Sequence, residues 1–404
     1  MTAITSVPVL CGSEPGSFAE DTIVRRLPEM ARRVIAENEF DEPVNKRLSE
    51  LAEDLPHGLV RSLADRQAAD WQDWEQCLQP LMGRSWLEIP LFAAEMYFYR
   101  RVLEATGYFL PGPNSGFDPY LAQKKLGLGQ AAAAIEKASI LPELPTLERL
   151  RQLVGLTLWA NQADLSLWPV KGQGGGMAQG GGGRAYLVAD QSGNALDYLG
   201  SMQSGRVDII LDNFGTELVF DLLIADALLE KSPDLSISLR VRPHPCFVSD
   251  IISPDIIWAI RWMNASSNEW LNRAGIHLER TLQSGRMKVV PHFYWGSPLL
   301  ARSMPIEIHR ELADSVLIIS KGDINYRRWL DDARWEPATP LSTIIQLSRP
   351  LLLLRVIKSD TVAGLRPDQA QELERQDPAW MVNGNWGLIQ FVEPGKPDDV
   401  SGAV

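Results

Sequence analysis

Cysteine is scarce in this chain of 404 residues: there are three, Cys11, Cys77 and Cys246, and they are widely scattered. No zinc-ligand spacing and no disulfide framework can be assembled from them, which fits a reducing cytosol. Cys246 reads as a buried bystander rather than a reactive thiol. Positive charge is also in short supply. The 39 Lys and Arg against 51 Asp and Glu leave a net charge of −12, which argues against nucleic acid or an anionic membrane as a partner. A phosphate-bearing ligand would need a local cluster of Lys and Arg. Long apolar runs are missing, and none approaches the roughly 20 residues of a membrane span. Residues 1–10 lack a basic region followed by an apolar core, so they do not read as a signal peptide. These absences predict a soluble, cytoplasmic protein, and nothing marks an obligate protein partner.

What is present divides the chain, which is long enough for a sizeable core and two lobes. Residues 19–170 read as mostly helical, with apolar residues at helical spacing over 20–37, 71–81, 91–106, 121–139 and 147–158. Thirteen tryptophans, several in this half, suit broad helix–helix contacts. A Gly-rich stretch, 171–184, follows. It lacks the G-x-x-x-x-G-K-[ST] pattern of a phosphate-cradling loop, and no strand feeds a helix through it, so a surface loop or hinge is the better reading. From 185 onward short apolar runs alternate with helical stretches. Strands are predicted at 185–188, 207–211, 236–241, 287–290, 315–320, 351–355 and 387–391, and helices at 217–229, 254–263, 269–284 and 306–313. Near-continuous apolar strands alternating with helices predict an α/β fold, a three-layer α/β/α sandwich around a mostly parallel sheet. The organisation is then a helical N-terminal lobe (1–170), the Gly-rich loop (171–184) and the α/β/α domain (185–404). No internal repeat is present.

Polar groups gather just past four of the predicted strands. Asp212, Asn213 and Glu217 follow the second, and Asp250 lies beyond the third. Lys321, Asp323, Asn325, Arg327 and Arg328 follow the fifth, and Arg355 and Lys358 close the sixth. In a parallel sheet these carboxyl ends face one crevice, where open α/β sheets bind ligands. Carboxylates and amides are hard donors suited to a divalent cation, and the cations suit phosphate oxygens. Each piece also has a plainer reading. Asp212 and Asn213 could cap the following helix, and Glu217 could be a first-turn acid favoured by the helix dipole.

Taken together the motifs resemble those of the metal-dependent damage-control phosphatase family, in its acidic-residue (protein-glutamate O-) methyltransferase-like branch. The matching segments are Asp212-Asn213-Phe214-Gly215-Thr216-Glu217, Pro245-Cys246-Phe247-Val248-Ser249-Asp250, the eight residues from Lys321 to Arg328, and Arg355-Val356-Ile357-Lys358. Upstream, Trp86, the run from Glu95 to Arg101, Asp118-Pro119-Tyr120 and residues 161–166 also match, as do residues 383–391. Val356 stands where the pattern has Thr, Phe214 where it has Ala, and Arg240 and Arg242 where it has His and Lys.

The resemblance implies that Asp212, Asn213 and Asp250 ligate a metal, with Glu217 beside it, and that residues 323–327 and Lys358 contact a phosphorylated substrate. It implies hydrolysis of small phosphorylated metabolites such as sugar phosphates, supported by Mn²⁺, Co²⁺ or Ni²⁺, or by Mg²⁺. Asp212, Asp250 and Glu217 would carry the chemistry. Asp212, Asn213, Lys321, Asp323, Asn325, Arg327 and Lys358 would hold substrate, with Arg328 as a further cation. A metal ligand is a poor nucleophile, so an activated water is preferred to a phospho-Asp212 intermediate. Removal of Asp250 is expected to abolish turnover with the fold intact. Two other functions are carried: an S-adenosylmethionine-dependent carboxyl methyltransferase, which lacks a glycine-rich turn after the first α/β strand, and a non-catalytic phosphometabolite-binding protein.

Overall fold

The computed structural model describes residues 7–160 and 186–395. The Gly-rich 171–184 stretch and the 161–166 motif lie outside the described residues. Seven strands form one sheet: β1 (Leu187–Asp190), β2 (Gly205–Ile210), β3 (Leu235–Val241), β4 (Met287–Pro291), β5 (Leu317–Lys321), β6 (Leu351–Val356) and β7 (Gly387–Val392). Their order is β1-β7-β6-β5-β2-β3-β4. The five strands from β2 to β6 run parallel to one another, whereas β7 is antiparallel to β6 and β1 follows β7.

Both faces of the sheet are apolar, which is why the strands read as near-continuous apolar runs rather than as alternating ones. Val207, Ile209, Leu317, Ile319, Leu352 and Leu354 point into one core. Their neighbours Ile210, Ile318, Leu351 and Leu353 point into the other. The first face is covered by helices Thr216–Lys231, Ser253–Asn264 and Glu269–Gln283, and the second by Ile306–Ala313 and Asp323–Trp329. No helix among the described residues is long and apolar enough to cross a membrane.

The N-terminal half is helical, and its helices Leu27–Glu37, Glu42–Asp54, Trp71–Leu78 and Leu91–Thr106 share a core of their own around Trp74, Trp86 and Tyr97. Helices Leu121–Lys137 and Thr146–Trp159 instead pack into the sheet core beside helix Thr216–Lys231. Glu42–Asp54 and Ser192–Ser201 are helices that no predicted element covered.

A buried ion network ties the helical half to the segment after β3. Arg100 donates through Nε and one terminal nitrogen to Asp70, at 2.8 and 2.9 Å, and through the other to Asp65 at 2.8 Å. His244 Nε2 lies 3.3 Å from Asp70 Oδ2. Burial alone would raise the Asp70 carboxyl, but His244 and Arg100 hold it down, from 3.8 to about 2. Because the folded value is depressed, the stability it confers is complete above pH 3.8 and is lost as pH falls through about 2. Asp70→Asn should therefore lower stability at neutral pH by at least about 2 kcal/mol. Urea unfolding of both proteins should show the gap narrowing below pH 4; a gap independent of pH would contradict this.

Candidate functional site

The direction in which the sheet is built reverses between β2 and β5. From β2 the sheet grows one way through β3 and β4, and from β5 the other way through β6. This is a topological switch point, and the crevice beyond the carboxyl ends is where such sheets bind ligands. Two turns open there, each with a glycine that the geometry requires. Gly215 has φ +102°, and a Cβ on it would meet the Gly127 backbone at 3.0–3.1 Å. Gly322 has φ +84°, and a Cβ there would lie 1.8 Å from Asp212 Oδ2. The β5 turn is thus packed directly against the Asp212 carboxylate.

A cavity of about 330 Å³ fills the crevice. Asp212, Asn213, Glu217, Asp250, Lys321, Asp323, Arg327 and Lys358 all line it, as the carboxyl-end argument predicts, and Glu95, Tyr99 and Arg26 join from the helical half. Asn325 and Arg328 do not line it. The Asn325 amide donates to the carbonyls of Leu211 and Lys321, at 3.2 and 2.8 Å, and its oxygen accepts from Arg242 at 3.2 Å. Arg328 donates to the carbonyls of Trp295, Ser297 and Leu299. In this geometry both side chains hold backbone rather than face the cavity.

The carboxylates are bound into one another. Asn213 Nδ2 donates to Asp212 Oδ2 at 2.7 Å and to Glu217 Oε2 at 3.1 Å, while its oxygen accepts from the Ser249 hydroxyl at 2.5 Å. Arg242 Nε donates to Asp250 Oδ2 at 2.8 Å, and the same guanidinium lies 3.7 Å from Asp212 Oδ1. Burial, reinforced by the charges of Glu217 and Asp250, pushes the Asp212 carboxyl well above the carboxylate range despite Arg242 and Lys321. Four buried acids, Asp212, Glu217, Asp250 and Asp221, thus share two buried cations, Arg242 and Lys321.

Most of the cations are already engaged. Lys321 is buried and donates to Glu217 Oε1 at 3.0 Å and to the Thr157 carbonyl at 3.3 Å, with Asp221 Oδ1 at 3.6 Å. Burial would lower its ammonium, but Asp221 and Glu217 hold it above its usual value. Arg327 is shared by Glu95 at 2.6 Å and Asp332 at 2.7 Å. Asp323 accepts from Arg355 Nε at 2.8 Å and from the Lys358 backbone at 3.1 Å, so it fixes the chain that carries Lys358. Lys358 itself is exposed at the rim and forms no ion pair among the described residues.

Sequence reasoning missed Asp221 and the role of Arg242. Asp221 stands one turn after Glu217 and is buried; burial, opposed by Lys321, lifts its carboxyl to about 7. A single acid within the apolar run 218–225 was the available signal. Among the described residues, His, Asp and Glu side chains with ligand atoms within 4.8 Å of one another are Asp226, Glu230 and His277. None of the three lines the cavity. His277 pairs with Asp226 at 2.6 Å and Glu230 with Arg149 at 2.5 Å, which describes ion pairs between neighbouring helices. Cys246 is buried, as expected, with Sγ 3.6 Å from His244 Nδ1.

Comparison with known proteins places this geometry. A protein from Xenopus tropicalis named damage-control phosphatase ARMT1 is 30% identical, over 93% of this chain and 96% of the relative. Proteins of the same name from Danio rerio and Homo sapiens are each 28% identical, over 94% and 95% of this chain and 95% and 98% of their own lengths. A solved DUF89 family protein from Pyrococcus horikoshii aligns with a TM-score of 0.48 at 15% identity, covering 91% of this chain and 96% of that one. Residues 22–373 match the damage-control phosphatase ARMT1-like domain, and the chain belongs to that family.

Proposed function

We propose that this protein is a metal-dependent phosphomonoesterase acting on small phosphorylated metabolites, with sugar phosphates as the substrate class. The carrying observation is the cluster of buried carboxylates at the switch point, where Asp212, Glu217 and Asp250 line one cavity together with Asn213. A cluster of that kind calls for a cation, and the relatives' phosphatase name supports the reaction. Asp212, Asn213 and Asp250 would hold the metal, and oxygen donors of this type suit Mn²⁺, Co²⁺, Ni²⁺ or Mg²⁺. The Asn213 amide now presents nitrogen to Asp212. A half-turn would present its oxygen to a cation and its nitrogen to the Ser249 hydroxyl, which can accept. When bound, such a metal supplies charge to offset a phosphoryl oxygen and makes water easier to deprotonate.

The chain's own groups then have defined tasks. Lys358 holds phosphoryl oxygens at the rim. Glu217, held by Lys321 and Asn213, and Asp250, held by Arg242, offer carboxylates that orient an attacking water or accept its proton. Lys321 positions Glu217, and Arg327 is held by Glu95 and Asp332, more than either meets substrate. Methyl transfer is not favoured, because neither the turn after β1 nor the turn after β2 carries a G-x-G-x-G pattern. A cytoplasmic setting is consistent with the three free thiols.

The test is phosphate release from a panel of sugar phosphates and an aryl phosphate, with Mn²⁺, Co²⁺, Ni²⁺, Mg²⁺ or chelator. Tight ester binding with no release under any metal would move the reading to a binding protein. Lys358→Ala is expected to reduce kcat/KM for phosphate esters about tenfold or more, the loss of one charge-assisted contact. Metal affinity, read by calorimetry, should stay as in wild type; a large drop would remove Lys358 from the phosphate role.

A further inference from the structure

The first helical stretch supplies a cavity wall that no sequence motif marked. Phe18, Thr22, Arg26 and Met30, spaced by four, all line the cavity. In a regular α-helix each step of four drifts by about 40°, so Met30 would face about 120° away from Phe18. Residues Thr22–Arg26 instead form a π-turn, closed by the Leu27 N–H donating to the Thr22 carbonyl. A π-turn rotates less per residue, so it winds the drift back and keeps Arg26 on the cavity.

Arg26 differs from the other cations there. Lys321 is bound to Glu217 and Arg327 to Glu95 and Asp332, whereas Arg26 forms no ion pair among the described residues. Its guanidinium lies 5.2 Å from the centre of the Phe18 ring and 3.4 Å from the Thr22 hydroxyl. Its charge lowers the carboxyl of Glu95 and the phenol of Tyr99 against the dominant push of burial. Arg26 thus lines the cavity with Glu95 and Tyr99, the two groups its charge acts on. That wall offers a fixed donor, an acceptor and a hydroxyl that is both, which suits neighbouring hydroxyls that donate and accept at once.

We propose that Arg26 is a specificity-determining residue whose guanidinium, beside Glu95 and Tyr99, holds the hydroxylated leaving-group half of the substrate. The proposal deepens the phosphatase reading and rests on it for the identity of the substrate. It is tested with Arg26→Gln and Arg26→Lys in the full-length protein. Turnover of a sugar phosphate and of an aryl phosphate is compared, and in parallel the binding of the sugar phosphate and of inorganic phosphate is measured with Mn²⁺ present.

Arg26→Gln should lower the ratio of kcat/KM for sugar over aryl phosphate about tenfold, mainly through KM. It should weaken sugar phosphate binding relative to inorganic phosphate by a similar factor, with partial recovery in Arg26→Lys. An equal loss on both esters would overturn the proposal by placing Arg26 on the phosphoryl group or in the fold. No change on either would make it a surface cation stacked on Phe18. If wild type releases phosphate from no ester, the phosphatase reading fails, and the binding comparison alone decides for or against Arg26. A wild type that binds neither compound overturns it.

Discussion

Asp250→Asn is expected to reduce metal-dependent phosphate release by more than about a hundredfold, as removal of a charged metal ligand should, while leaving the fold nearly as stable as wild type. Asp250→Ala should lose the same activity and also be clearly destabilised. The difference comes from Arg242. Its Nε donates to Asp250 at 2.8 Å, and the guanidinium continues to the Trp295 carbonyl at 2.6 Å and Asn325 at 3.2 Å, all out of water. Asn keeps an oxygen for Arg242, whereas Ala strands a buried cation with Asp212 at 3.7 Å as its remaining acid. Stranding one partner of a buried pair costs about 3–5 kcal/mol. An intact fold in Asp250→Ala, expected when the residue is read only as a ligand, is therefore revised. Denaturant midpoints beside phosphate release separate the effects; an active Asp250→Asn protein would remove Asp250 from the metal.

Gly322→Ala is expected to be nearly as damaging, at a residue with no chemistry of its own. A φ of +84° with ψ of 168° is a region essentially reserved for glycine, and it costs an L-residue about 1–3 kcal/mol. The new methyl would also lie 1.8 Å from Asp212 Oδ2 and 2.2 Å from its Cγ, so the carboxylate or the turn must move. The turn is pinned by the Gly322 N–H donating to the Leu354 carbonyl at 2.8 Å. Asp212 should yield, and metal affinity should fall by more than about tenfold, in the range of a misplaced ligand. Calorimetry of metal binding together with thermal unfolding checks this. A variant with wild-type metal affinity would show that the β5 turn does not place Asp212.

The sheet was legible because its chemistry is local. Strands buried on both faces must be apolar throughout, and all seven were found within about two residues of their ends. Which residues of the 321–328 motif face the cavity was not legible. Residues 321–328 read as one polar block, but Asp323–Trp329 is a helix. Asp323 and Arg327, four apart, share the face toward the cavity, whereas Asn325 and Arg328 turn away from it. The partners that occupy the cations are distant in sequence: Arg327 meets Glu95 across 232 residues. Arg26 was hidden for another reason, since a 3.6-residue period cannot reveal a π-turn. The helical half is also less separate than composition suggested, because helix Thr146–Trp159 contributes Leu153, Leu156 and Trp159 to the sheet core.

The most direct test is phosphate release by metal-stripped protein resupplied with Mn²⁺, comparing wild type, Asp250→Asn and His277→Ala on one sugar phosphate. The account predicts release by wild type and His277→Ala and none by Asp250→Asn. Release that survives in Asp250→Asn but is lost in His277→Ala would contradict it, by placing the working metal among Asp226, Glu230 and His277 rather than at the switch point.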